Sequence, residues 1–390
     1  MHHKNIIINR AFKIIALFFF FLQSIFAQLS DLNTRCLWIV RDSMYNEKMI
    51  NSALVYAYQS GYNIVFIQVR GRGYSFYNSD IVPKHPKVES EFDPLGYAVT
   101  LGHALGIEVH VWVNSYILWS SKTAPKDTKH LYHTHKEWTE ADRNLKMDSS
   151  IKLSEPHSPQ WEGVYLSPIH PEVNPYLTSV FSEIINKYDI DGIHLDYIRF
   201  QDEIYGWNRN GMREFEKIYD YSPRDITRGI IKPELKDSIE IAWIKFRQDA
   251  VTELVRNVYS EMHKPGTNIK LSAAVKPNIV DAKYRWYQEW DKWVQEGIID
   301  FVVPMNYFKE IRDFNNSVQI MKSNLVQEEL DMVVIGISTH NQDAQSAADK
   351  ILLARLNGFR GVSIFSWDAH KNNLDWFDPI NDALGHPTFE

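Results

Sequence analysis

The sequence has 390 residues, 44% hydrophobic and 23% charged, which excludes a disordered chain and leaves room for a large core. Its net charge of −7 comes from interspersed acids and bases, not from a block of one sign. That excludes the concentrated basic face that nucleic acid or an anionic membrane requires. With 12 Trp, 20 Tyr and 20 Phe, the chain has aromatic surface for stacking on sugar rings as well as for a core.

In chain order, Lys4, Arg10 and Lys13 precede the apolar run IIALFFFFLQSIFA, which ends at the small residue Ala27. Charge, apolar length and a small final residue are the marks of a signal peptide over residues 1–27. The run is short for a full membrane span. Export to the periplasm or the cell exterior is therefore expected, with no stable membrane insertion after cleavage. Residues 28–390 show no linker, repeat or low-complexity tract and read as one domain. The lone cysteine, Cys36, falls in the first apolar strand pattern and reads as a small core residue.

Eight short apolar runs follow: CLWIV (36–40), NIVFIQV (63–69), EVHVWVN (108–114), DGIHLDY (191–197), IKLSAAV (269–275), FVVPMNY (301–307), DMVVIGIS (331–338) and GVSIFSW (361–367). Amphipathic stretches such as NEKMINSALVYAYQSG and DAQSAADKILLARLNG separate them, and Gly61, Gly106, Gly297 and Gly358 stand where helices should end. Eight strand–helix units predict an α/β fold, a single (β/α)8 TIM barrel. A doubly wound sheet fits less well, because no Gly-rich phosphate loop follows the first strand. Two long excursions, residues 115–173 after strand three and 198–238 after strand four, leave from the rim where barrel enzymes keep their sites.

Alternation assigns the faces. Val109, Val111 and Val113 oppose His110, Trp112 and Asn114, and Ile193 and Leu195 oppose Gly192, His194 and Asp196. The aliphatic faces should meet helices and the mixed faces should point into the barrel. Polar residues gather at strand ends: Arg41, Asp42, Gln68, Arg70, Asn114, Asp196, Lys276, Asn306, Tyr307, Ser338, Trp367 and Asp368. His110, His194 and Asp196 lie within strands, where loop polarity does not account for them, so a pocket is expected.

Together, RCLWIV, GYNIVFIQVRGRGYSFYNSDIVP, FDPLGYAVTLGHALGIEVHVWVN, SPIHPEV, DGIHLDYIRF and IIDFVVPMNY resemble the bacterial glycosyl-hydrolase-like family ten, over roughly residues 34 to 310. The resemblance implies a (β/α)8 glycosidase of the cell envelope, with some relatives acting on peptidoglycan glycan strands. An N-acetylhexosamine-containing polysaccharide of that type is the expected substrate, and no cofactor is expected. Glycosidic cleavage needs an acid for the leaving oxygen and a second group for the positive sugar carbon. Asp196 is the expected acid/base, because apolar neighbours raise a carboxyl's pKa toward neutrality. The alternative for Asp196 is a barrel salt bridge to Arg199 or Arg70. Asp368 and Glu289 are the candidates for the second group, with Asp42 third, and Asp191 reads as a structural cap.

Trp112, Tyr307 and Trp367 are candidate stacking platforms; Arg70, His110, Asn114, His194, Arg199 and Asn306 are candidate polar contacts to sugar. MNY and FSWD resemble the family 18 chitinase pattern, but the Glu and Asp of its strand-four motif would fall at Ile198 and His194. The standard chitinase machinery is therefore not expected. HLYHTH brings His130, His133 and His135 together without metalloprotease spacing, and no metal site is assigned to it. A barrel that binds glycan without cleaving it is the alternative from another functional class.

Overall fold

The computed structural model describes residues 29–155, 161–264 and 268–385; the proposed signal peptide lies outside the described residues. The eight strands form where the apolar runs predict them. They are β1 (Thr34–Ile39), β2 (Ile64–Gly71), β3 (Glu108–Asn114), β4 (Gly192–Asp196), β5 (Lys270–Val275), β6 (Phe301–Pro304), β7 (Ile335–Ser338) and β8 (Gly361–Phe365). From β1 through β6, and from β7 to β8, each pairs in parallel with its sequence neighbour, and β8 pairs back onto β1 with Thr34 opposite Gly361. Between β6 and β7 only bridges from Val302 to Val333 and from Met305 to Gly336 complete the ring. The result is a nearly closed barrel.

Helices α1 (Glu47–Gln59), α2 (Pro94–Ala104), α3 (Val173–Lys187), α4 (Pro233–Met262), α5 (Trp290–Gln295), α6 (Ile311–Asn324), α7 (Ala344–Leu356) and α8 (Asp378–Leu384) follow the strands in turn. In α1 the Asn46 side chain accepts from the Met49 amide, and Ile50, Ala53, Leu54 and Ala57 form the buried stripe. Among the described residues no helix is long and apolar enough to cross a membrane.

The two faces separate as alternation requires. Val65, Ile67, Val109, Val111, Ile193 and Leu195 join the core under the helices, whereas Cys36, Trp38, Phe66, Trp112, Phe301 and Val303 form a second cluster inside the barrel. Trp38 is its centre, edge-on to Phe66, Trp112, His194 and Phe365 at centroid distances of 4.6–5.4 Å. Its indole donates to Ser363 Oγ at 2.5 Å. Close packing here leaves Gly192 no alternative, because a Cβ would stand 2.2 Å from His110 Nδ1.

The excursions are knitted together. An antiparallel pair, Ile117–Trp119 with Val164–Tyr165, lies in the first; helices Arg209–Tyr219 and Pro223–Arg228 lie in the second. Gln201, just after β4, accepts from the Glu162 amide at 2.9 Å and donates to Asp148 at 2.7 Å. Asn208 donates to the carbonyls of Glu137 and Thr139.

Candidate active site

Asp196 ends β4 on its barrel-facing side, opposite Asn114 of β3. Trp112 Nε1 donates to its Oδ2 at 3.0 Å, and the Tyr197 amide to its Oδ1 at 2.7 Å. Both donors are neutral. Its residual exposure is 8%, and burial raises its pKa to about 6 against the pull of the Tyr197 amide and of Arg199. No salt bridge joins it to Arg199 or Arg70 among the described residues.

Arg199 is committed elsewhere. Its Nη2 lies 3.1 and 2.9 Å from the two oxygens of Glu162, and its Nη1 donates to the Phe200 carbonyl. Glu162 comes from the first excursion, beside the short antiparallel pair, and its Oε2 also accepts from the Tyr165 hydroxyl. Burial pushes the Glu162 carboxyl up, but Arg199 first, then Lys276 and the Tyr165 hydroxyl, hold it below its ordinary range. Its charge in turn helps to keep Asp196 protonated. Two carboxyl groups in one field are thus pushed apart in pKa, the pattern expected of an acid and an ionised partner. Glu162 was not among the residues expected from sequence; the signal was indirect, a buried Arg199 in need of an acid.

Around this pair stand half-buried side chains. Tyr307 stacks on Phe365 at 5.5 Å with 19° between the rings, and Tyr197 lies beneath the Arg199 guanidinium at 5.3 Å. Lys276, after β5, sits 4.5 Å from the Trp286 ring centre; burial first, then Arg199, lower its pKa to about 8. Tyr307 and Tyr197 both lie in the field of Asp196. The rim therefore offers aromatic faces, a cation and two carboxyl groups.

Other expected site residues are placed differently. Asp368 accepts from the Val40 amide, Ser43 Oγ and Lys371 Nζ, which ties the β8 exit to the β1 exit. Glu289 is buried at the start of α5 with Lys245, Lys283 and Lys292 at 3.5–4.0 Å, on the helical layer. The structure brings neither to Asp196. Arg70 is fully buried and donates to the carbonyls of Asn114 and Ser115, holding the β3 exit. His110 lies deep in the barrel against Glu108 at 3.0 Å, and His194 stacks on Phe66 at 4.0 Å while meeting Ser272 Oγ at 2.8 Å. Both imidazoles are sealed from solvent and held neutral by burial, so they belong to the barrel filling.

Asn306 turns toward α6, where Ser317 Oγ donates to it at 2.9 Å. Trp367 packs with the core under the helices, beneath Lys371 Nζ at 5.7 Å. Trp112 and Asn114 flank Asp196, one as its donor and one as its register partner, with Asn114 also accepting from Gln68 Nε2 at 3.0 Å. The three loop histidines are used separately: His130 meets the Arg72 carbonyl, His133 the Pro125 carbonyl, and His135 the Thr134 hydroxyl.

The family described as glycosyl hydrolase-like 10 matches residues 33–350. The chain belongs to this family. Relatives include "Glycosyl hydrolase DigH" of Escherichia coli O6:H1, 23% identical over 288 residues that cover 64% of this chain and 55% of that protein. "Glycosyl hydrolase YngK" of Bacillus subtilis is 24% identical over 266 residues, 64% of this chain and 46% of the relative. The chain thus spans about half the length of the curated relatives it matches. Among solved structures, the glycoside hydrolase domain of PgaB (BpsB) from Bordetella bronchiseptica superposes with a TM-score of 0.66 at 12% identity. That match covers 90% of this chain and 98% of the other, and it establishes the shared barrel fold.

Proposed function

We propose that this member of the glycosyl hydrolase-like 10 family is an exported glycoside hydrolase in which Asp196 protonates the leaving oxygen and Glu162 serves the sugar carbon. The observation that carries the reading is the state of the pair: Asp196 accepts from two neutral donors and keeps its proton to about pH 6, while Arg199 keeps Glu162 ionised. A proton donor works best when its pKa lies near the operating pH. An ionised carboxylate in the same field can meet the positive charge that develops on the sugar ring, as nucleophile, as base for water or as counter-charge. Tyr307 with Phe365 gives the sugar a flat apolar face to lie on, and Lys276 and Asn114 can meet its oxygens. The family supports a glycan substrate, and a peptidoglycan-type glycan containing N-acetylhexosamine is our reading. Export rests on the charged and apolar pattern of residues 1–27.

The test is incubation with purified peptidoglycan glycan strands and other bacterial polysaccharides, with products read by mass spectrometry. Wild type should release new reducing ends, and Asp196→Asn and Glu162→Gln should each lose about 10²–10⁴ in rate while still binding. An Asp196→Asn enzyme that matches wild type ends the assignment of the acid. Binding without products in wild type would make the chain a glycan-binding barrel.

A further inference from the structure

A cavity of about 310 Å³ opens between the excursions and the outer half of α4, lined by Arg143, Trp207, Thr227, Glu240, Trp243 and Arg247, among others. None of these residues belongs to the rim around Asp196. Trp207, Trp243 and Arg247 are only 4%, 3% and 5% exposed. Both indole nitrogens lack a hydrogen-bond partner, although a buried donor left unpaired costs about 1–3 kcal/mol. The two rings meet at 5.8 Å and 56°, making a corner, and Phe246 backs Trp243 in a 17° stack. Arg247 donates to the carbonyls of Trp243 and Tyr205 and lies over the Tyr287 ring at 4.0 Å. Among the described residues no carboxylate lies within ion-pair distance of Arg247 or Arg143; the buried Glu140 acts on Arg247 only through its wider field. Glu240, with Lys236 at 3.9 Å, adds an acceptor on the same wall.

These walls specify a ligand. Two guanidinium groups on one wall call for oxygen acceptors, at least one of them anionic. The aromatic corner calls for a small apolar ring face. Glu240 repels a bare anion but accepts from hydroxyl groups. The volume is at the small end for ligand cavities, enough for one ring-sized unit. We propose that this cavity is a second saccharide-binding site, which takes a carboxylate-bearing sugar unit with its acid on Arg143 and Arg247 and its ring in the Trp207–Trp243 corner. The site holds glycan away from the barrel mouth and is independent of the reaction assigned to Asp196.

The experiment is saturation-transfer NMR and calorimetry on the full chain with methyl glucuronoside, N-acetylmuramate, methyl glucoside and acetate as probes. Methyl glucuronoside or N-acetylmuramate should bind saturably, and whichever binds tighter identifies where the sugar carries its acid. Methyl glucoside and acetate should each bind at least about tenfold more weakly, the worth of one charge-assisted contact. Thr227→Trp, which fills the cavity, and Arg143→Glu, a charge reversal at an exposed position that leaves the fold intact, should each abolish that binding. Asp196→Asn should leave it unchanged. The proposal is overturned by no saturable binding of either acidic sugar, by acetate binding as well as they do, or by binding that survives both cavity variants or is lost in Asp196→Asn.

Discussion

At the scale of single residues, the state of Asp196 has a measurable signature. Its folded pKa of about 6 stands above the ordinary carboxylate value near 4, so the fold disfavours its ionised form. The unfolded chain releases that proton first, and stability is lost as pH rises from about 4 through 6. Unfolding free energies of wild type and Asp196→Asn from denaturant titrations, compared from pH 4 to 7, should diverge over that window by up to about 3 kcal/mol, with the Asn variant the flatter. The same residue should set the alkaline limb of the rate profile near pH 6. Glu162 should set the acid limb, because its pKa is held down chiefly by Arg199. Arg199→Gln should move the acid limb upward in pH and, because Arg199 also pulls the Asp196 carboxyl down, move the alkaline limb upward by less. A variant that scales the rate equally at every pH would show that Arg199 only holds the loop.

At the scale of elements, the barrel depends on a few close contacts. Gly192→Ala should cost about 1–3 kcal/mol, since its Cβ would collide with the His110 ring, and adding His110→Ala should return part of that loss. Thermal melts of both single variants and the double variant decide it; equal losses in single and double variants would mean that the collision is relieved elsewhere. Gln201 joins the two excursions by hydrogen bonds to Asp148 and to the Glu162 amide. Gln201→Ala should therefore raise the rate of limited proteolysis within residues 115–172 and lower turnover, with a modest loss of overall stability of about 1–3 kcal/mol.

This is also the scale at which the sequence is most legible. Strand period and aliphatic faces predict all eight strands, because a buried sheet face tolerates no slip of register. Asp196 stands out for the same reason, an acid on an otherwise buried strand. The second carboxylate is hidden, because Glu162 lies in an aperiodic segment brought to the site by Arg199 and Gln201. Asp368 and Glu289 sit at rim or helix-start positions in the sequence, yet their acids are taken up by a backbone amide in one case and by lysines in both. Nor does alternation tell a barrel-facing histidine in the filling from one at the mouth: His110 and His194 share a face with Asp196 but lie deeper.

For the whole molecule, α4 links the two regions of interest. Its 30 residues, about 45 Å of helix, run from the helices of the second excursion down the side of the barrel. Its outer half carries Trp243 and Arg247, and its inner half carries Val251, Leu254, Val255 and Val258 in the barrel's core. Combining Thr227→Trp with Glu162→Gln should therefore give effects on saccharide binding and on turnover that add, since the two sites share no side chain. A strong departure from additivity in a double-mutant cycle would show that the helix couples them.

The plug of rings around Trp38 settles which way traffic runs. A barrel stoppered from within is a cup, not a pipe, so a polymer cannot be fed along its axis. On the proposed reading, a glycan reaches Asp196 and its products leave by the same doorway.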